Sequence, residues 1–265
     1  MEKTTLIARY AQTEEDRLTL CRVLDQMCQA EARQIPAATE FLTAHERGLA
    51  EPMLRAAGVE QIWFYGGCDE AERTVCCHVP DYLDAQQYFA GEDGPICLIR
   101  ASFRAERPLS HRDFLGSLMG CGIRRQTVGD LYVEAQSCEM LVMRKIVPYL
   151  MQNLTEAGRT RLRLELCPIQ TLRRPPEQLE VLRQTVSSLR LDAVAAAGFH
   201  LSRSRAAELI EHGRAAVNHM GCEKPDRTVA QGDQISLRGL GKLRLQAVHG
   251  ETKKGRISIE IAKYL

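Results

Sequence analysis

Apolar positions recur at helical spacing over residues 14–32, at Leu18, Cys21, Val23, Leu24, Met27 and Cys28, and the spacing predicts a helix there. "TEFLTAHERGLAEPMLRAAG" reads as a second helical stretch, interrupted by Pro52 and stopped by Gly58. The period then changes. "VEQIWFYGG" reads as a buried strand and "RTVCCHVP" as its partner, with "GGCDEAE" as the turn between them. The first 92 residues therefore form an α/β domain.

From "PICLIRASF" onward the elements alternate in a recognisable order. A strand at 96–103 precedes a helix at 111–121. Strands follow near 130–135 and 138–143, then a helix near 144–156 and the strand "RTRLRLEL" at 159–166. This β-α-β-β-α-β order predicts a ferredoxin-like domain over 93–170. Ser110 can cap its first helix, Asp113 sits three residues on, and Leu109 can staple to Phe114. Gly116 and Gly120 share one face of that helix. The charged flanks make this helix-on-sheet packing rather than a membrane signal. Pro175 and Pro176 mark residues 171–188 as a linker. After it, "RLDAVAAAGF" and the stretch from Arg203 to about His212 read as two short helices. Ser202 caps the second, Ala206, Leu209 and Ile210 form its buried stripe, and Gly213 closes it. At the end of the chain "KLRLQAV" buries Leu243, Leu245 and Ala247, and "RISIEIA" buries Ile257, Ile259 and Ile261, as an antiparallel hairpin. The fold class expected is α+β and multidomain, with a third domain over 189–265.

Charge changes this picture more than composition does. The net charge of the 265-residue chain is only +1, yet residues 1–94 hold 8 basic and 17 acidic side chains, a net of −9. Residues 95–170 carry +4 and residues 189–265 carry +5. An acidic front and a basic rear point to a polyanionic partner for the rear. Three arginines, Arg203, Arg205 and Arg214, fall within 12 residues around the second short helix. Free amides and the positive helix end at its start favour phosphate. The ten cysteines are scattered, with no CxxC, and His78 beside Cys77 has no second ligand pair at zinc spacing. They read as reduced thiols, and neither metal nor cofactor is expected. "MEKTTLIARYAQTEEDRL" lacks an apolar signal region, and no run of about 18 apolar residues suggests a membrane span.

"LRLDAVAAAG", "LSRSRAAELIEHGRAAVN" and "KPDRTVAQGDQISLRG" resemble the S4 RNA-binding domain. The resemblance makes Arg190, Ser202, Arg203, Arg205, Arg214, Asn218 and Lys224 candidate RNA contacts. Lys253 and Lys254 stand at the tip of the terminal hairpin, where they read either as a solvated turn or as an extension of the same basic face. "QIWFYGGCDEAER", "SHRDFLGSLMGCGIRRQTVGDLYV" and "GRISIEIAKYL" widen the likeness to the YlmH-type bacterial S4 proteins. That resemblance implies a cytoplasmic, non-catalytic protein that binds ribosomal RNA of the large subunit and acts in rescue of stalled translation. It leaves open whether tRNA is contacted too, and it implies no small-molecule substrate. It also implies a second RNA-binding unit in the middle domain. The strand "SCEMLVM" has no aromatic for base stacking, and only Phe103 and Tyr132 lie near the other strands. His111, Arg112, Arg124 and Arg125 are candidates for phosphate contacts there, the other reading being ordinary surface residues.

Two other readings compete. Pseudouridine synthases follow S4 domains and carry their catalytic Asp in an Arg-Leu-Asp triplet. The one such triplet here, Arg190-Leu191-Asp192, falls inside the first S4 helix, where a structural role explains it. No GxSxG or phosphate-binding loop occurs, and "GLGKL" reads as a turn. The second reading is an adaptor that docks a basic ribosomal protein through the acidic first domain.

Overall fold

The computed structural model describes residues 3–176, 178–252 and 255–264. The chain divides into two compact units, residues 1–175 and 176–265.

The first unit opens with helices α1 (Lys3–Tyr10) and α2 (Glu14–Arg33), strand β1 (Ala37–Leu42), helix α3 (Ala44–Ala57), strands β2 (Ile62–Tyr65) and β3 (Thr74–His78), and helix α4 (Ala85–Ala90). The three strands form an antiparallel sheet in the order β1-β3-β2. Capping boxes start both long helices, Thr13 with Asp16 and Thr43 with Glu46. The second box corrects the sequence reading. Thr43 is the N-cap, so residues 39–42, expected to be helical, are strand. Pro52 does not interrupt α3, because burial of Leu49, Ala50, Met53 and Leu54 along one face carries the helix through it.

The chain continues through β4 (Ile96–Ser102), α5 (His111–Gly120), β5 (Val128–Val133), β6 (Ser137–Met143), α6 (Val147–Asn153), the small hairpin β7 (Glu156–Ala157) and β8 (Thr160–Arg161), and β9 (Arg163–Cys167). Counting only β4, β5, β6 and β9, the antiparallel order β5-β6-β4-β9 places the first of these four strands between the third and the fourth, as in the expected ferredoxin-like arrangement. Ser110 and Asp113 make the capping box of α5.

This sheet is apolar on both faces. Cys97, Ile99, Ala101, Met140 and Val142 meet Phe114 and Leu118 of α5 and Leu150 of α6. Ile96, Leu98, Leu141 and Met143 meet Phe41, Val75, Cys77 and Phe89 from the first 92 residues. The expected division near residue 92 thus falls inside one compact unit with a shared core. Polar contacts fasten the same seam. Arg73 donates from Nε to the Val128 carbonyl and from Nη2 to that of Phe41, at 3.1 and 3.2 Å. The Glu72 amide donates to Asp130. The turn after β2 lies so close to the sheet that a Cβ on Gly67, at φ +94°, would come within 2.8 Å of a Leu141 methyl.

The second unit is a six-stranded antiparallel sheet with two helices. Its elements are β10 (Leu179–Val186), α7 (Leu191–Phe199), α8 (Arg203–Glu211), β11 (Ala215–Val217), β12 (Met220–Cys222), β13 (Gln234–Leu237), β14 (Gly241–Glu251) and β15 (Ile257–Tyr264), in the order β10-β15-β14-β13-β11-β12. Residues 171–188, expected to be a linker, therefore hold a strand, and β10 pairs with β15 along its whole length. Leu191, Val194, Ala206, Leu209 and Ile210 of the helices bury against Ile235, Leu243, Leu245, Ile259 and Ile261. The terminal hairpin differs from strict alternation at one place. An irregularity between Leu245 and Ala247 sets Val248 opposite Ile259, and Val248, not Ala247, packs on the core.

Gly67→Ala tests the seam in the first unit. It combines an unfavourable φ with a clash against a fully buried leucine, so urea unfolding of that unit should show a loss of about 2–3 kcal/mol. A loss under about 0.5 kcal/mol, the usual range for a surface substitution, would mean the turn is not seated on the sheet.

Candidate nucleic-acid interface

The start of α7 and the start of α8 meet at one buried carboxylate. Asp192, in the first turn of α7, is 4% exposed. Arg190, the N-cap residue of α7, donates from Nε and Nη2 to its two oxygens, both at 3.2 Å. Arg203, the first residue of α8, donates from Nε and Nη2 at 3.1 and 3.3 Å. Burial works against the Asp192 charge, but the hydrogen bonds and charges of the two arginines outweigh it and hold the carboxyl below its usual range. The clamp fixes where the two helices begin relative to each other.

The loop before Val229 completes this corner. The first amides of α7 find acceptors there, Leu191 on the Arg227 carbonyl at 2.8 Å and Asp192 on that of Pro225 at 3.0 Å. The turn from Lys224 to Arg227 is thereby held beside the clamp, with both of those side chains exposed and without partners. At α8, the Ser202 hydroxyl accepts from the Arg205 amide, and the amides of Arg203 and Ser204, at the first two helical positions, have no intrahelical acceptor. The helix closes at Gly213, φ +67°, as the sequence predicts. Arg214 follows it, and the Arg238 amide donates to the Arg214 carbonyl, so two exposed, unpartnered arginines stand side by side at that end.

The residues predicted from sequence thus separate into kinds. Arg190 and Arg203 serve the clamp, while their outer edges, 40% and 49% exposed, still face solvent. Arg205 pairs with Glu208 at 2.7 Å. Arg214 and Lys224 are open. Asn218 is engaged at both ends of its amide. Its Nδ2 donates to Asp233 and its Oδ1 accepts from the Gln234 amide, and its φ of +50° marks it as a turn residue. Lys253 and Lys254 lie outside the described residues. Arg227 and Arg238 were not singled out from sequence, although "KPDRTVAQGDQISLRG" contains both. What brings them in is backbone pairing to Leu191 and Arg214, which no local pattern shows.

In the first unit the four candidate phosphate contacts do not gather. Arg124 pairs with Glu40, which also takes Lys145 at 2.8 Å. Arg125 donates to the carbonyls of Val128 and Gly129. Loss of hydration and then the Arg125 charge hold His111 below its usual pKa, toward the neutral form. Arg112 alone of the four is exposed and charged with no hydrogen bond or ion pair of its own, its charge acting only at a distance on Asp113. The sheet face opposite α5 and α6 is covered by Phe41, Val75 and Phe89, and Tyr132 lies under the Arg174 guanidinium, 5.6 Å from its ring centre. Among the described residues no cluster of three His, Cys, Asp or Glu side chains could hold a metal, and no described helix is long and apolar enough to cross a membrane.

Residues 100–171 match the family model described as "Putative RNA-binding domain in YlmH", and residues 189–235 match the S4 domain model. The chain is 33% identical over 220 residues to "Ribosome-associated protein quality control protein P2" of Bacillus subtilis (strain 168), an alignment that covers 82% of this chain and 83% of that one. It is also similar to a solved structure, "Cell division protein ylmH from Streptococcus pneumoniae", over 60% of this chain and 95% of that one, with a TM-score of 0.49 and 19% identity.

Asp192→Asn tests the clamp. A carboxyl whose folded pKa is depressed stabilises fully above its unfolded value, about 3.9, and loses that contribution as pH falls through the folded value. At pH 7 the substitution should cost the second unit about 2 kcal/mol. The difference between the two proteins should shrink as the pH falls below about 4. A constant difference down to pH 2 would show that the charge of Asp192 contributes nothing.

Proposed function

The chain belongs to the YlmH family of S4-domain proteins, and from that premise we propose that it binds ribosomal RNA of the large subunit and acts, without catalysis, in the rescue of stalled translation. The observation that carries the proposal is the Arg190–Asp192–Arg203 clamp. It joins the start of α8 to the start of α7, where the loop bearing the exposed Lys224 and Arg227 is bonded, with Arg214 and Arg238 at the far end of α8, one helix length or about 13 Å away. Cations on exposed, rigid backbone bind phosphate without paying to leave an existing ion pair. Structured RNA suits the geometry, because the cations are fixed at both ends of one helix. A tRNA held together with the subunit would meet the same face.

The matched RNA-binding segment over 100–171 supports a contact by the first unit as well. The covered sheet argues that this contact uses phosphate rather than stacked bases, with Arg112 as its clearest cation. The rival enzymatic reading rests on Asp192. Both of its oxygens are taken by arginines and its side chain is 6% exposed, so it is poorly placed to attack a base. The name of the Bacillus relative supports the ribosomal setting, and the proposal places this chain in the cytoplasm on the same ground.

Replacing Arg214, Lys224 and Arg227 together by Ala should leave the fold intact, since all three side chains are exposed and unpartnered. Association with purified large ribosomal subunits should weaken. The slope of log affinity against log salt should fall by about 2 to 3, at roughly 0.7 per phosphate contact on single strands and 0.9 on a duplex. An unchanged slope would place the RNA face elsewhere.

A further inference from the structure

The acidic first unit carries a surface cavity that RNA binding does not use. It measures about 480 Å³ and is lined by Gln61, Trp63, Val79, Pro80, Asp81, Leu83, Asp84 and neighbouring residues. Four features of its wall agree on one kind of ligand. Trp63, on β2, is 49% exposed, with its ring held edge-on to Phe89 at 6.5 Å between centres. The face of an indole attracts cations, and guanidinium most readily of the side chains. Asp81 is exposed and has no partner, while Asp84 is fixed as the N-cap of α4 by the Gln87 amide at 2.8 Å, adding a second negative charge. The Gln61 side-chain oxygen is buried and accepts no hydrogen bond. Gln61 itself sits at φ +58°, a conformation that costs a non-glycine residue about 1 kcal/mol or more and clusters at ligand sites. A rigid aromatic face, an unpaired carboxylate and an unsatisfied acceptor call for a flat, donor-rich cation.

We propose that this cavity receives an arginine side chain presented by a basic segment of a partner protein. The guanidinium stacks on Trp63 and donates to Asp81. Its remaining donors offer the Gln61 oxygen, closed to solvent before binding, a partner once that side chain turns to the cavity. The surroundings favour a basic protein segment over a lone amino acid. The first unit holds 21 basic and 24 acidic side chains, and its acidic excess is concentrated in residues 1–94, which carry a net −9 and build the cavity wall, so flanking basic residues gain from the local field while a nucleic-acid backbone is disfavoured there.

Trp63 is the single tryptophan of the chain, so its emission reads the cavity directly. The full chain is titrated with an acetylated peptide of four Gly-Arg repeats. A saturable change in Trp63 emission is expected. Asp81→Asn should weaken binding about fivefold or more, the loss of one charge-assisted contact. Glu14→Gln, which removes an exposed charge at the start of α2, should have no such effect. A Gly-Glu peptide should be silent, and free arginine should bind more weakly than the peptide by about tenfold or more. No saturable change, or equal losses from Asp81→Asn and Glu14→Gln, overturns the proposal. Free arginine binding as tightly as the peptide would overturn the assignment to a protein segment. None of these readouts involves RNA, so the result stands apart from the RNA face.

Discussion

A sheet with two apolar faces has to bury both, and the middle sheet of this chain is such a sheet. Helices α5 and α6 can cover only one of them. The other carries Ile96, Leu98, Leu141 and Met143, whose exposure to water would cost on the order of 2 kcal/mol each. The first 92 residues supply the cover through Phe41, Val75, Cys77 and Phe89. That packing explains why Gly67 must lie flat against Leu141 and why Arg73 reaches carbonyls on both sides of the seam. It also removes the surface on which a fold of this topology would stack bases. The function of the segment and its burial are thus linked by the same side chains.

The second unit is governed by a charge rather than by an apolar face. Asp192 is buried where an unpaired carboxylate could not survive, and two arginines from different positions close on it. The arrangement leaves a net positive corner. Two cations neutralise one anion, and Lys224 and Arg227 are drawn beside them because their loop accepts the first amides of α7. A structural requirement of the helix pair therefore builds the electrostatics of the face. Arg190 and Arg203 belong to both, which is why removing either would confuse a folding loss with a binding loss.

Much of this was legible in the sequence where the signal is local. The Ser110 and Ser202 caps, the Gly213 stop, the β-α-β-β-α-β order and the alternation around Ile259 depend on neighbours within a few residues. What failed depends on distant partners. "LEVLRQTV" gives no sign that it will pair with β15, nearly eighty residues away. Arg124 looks available for phosphate until Glu40 meets it from the other end of the unit. That Asn218 also braces its turn, through Asp233 and the Gln234 amide, is set by residues fifteen and more positions away. Proline and cap rules compete inside "TEFLTAHERGLAEPMLRAAG", and the capping box outweighs the apolar period there.

The near-zero net charge follows from the same division of labour. The proposed RNA face needs cations that are exposed and not already paired, which Arg214, Lys224, Arg227 and Arg238 are. The front of the chain carries an opposite excess, and its cavity is walled by Trp63, Asp81 and Asp84. Were those carboxylates only a counterweight to the basic rear, they would be expected to lie paired with basic neighbours or spread evenly in solvent. Asp81 instead stands unpaired beside an exposed indole and an acceptor with no donor. An arrangement that leaves both a charge and a hydrogen-bonding group unmatched at one place is completed by a ligand that supplies both.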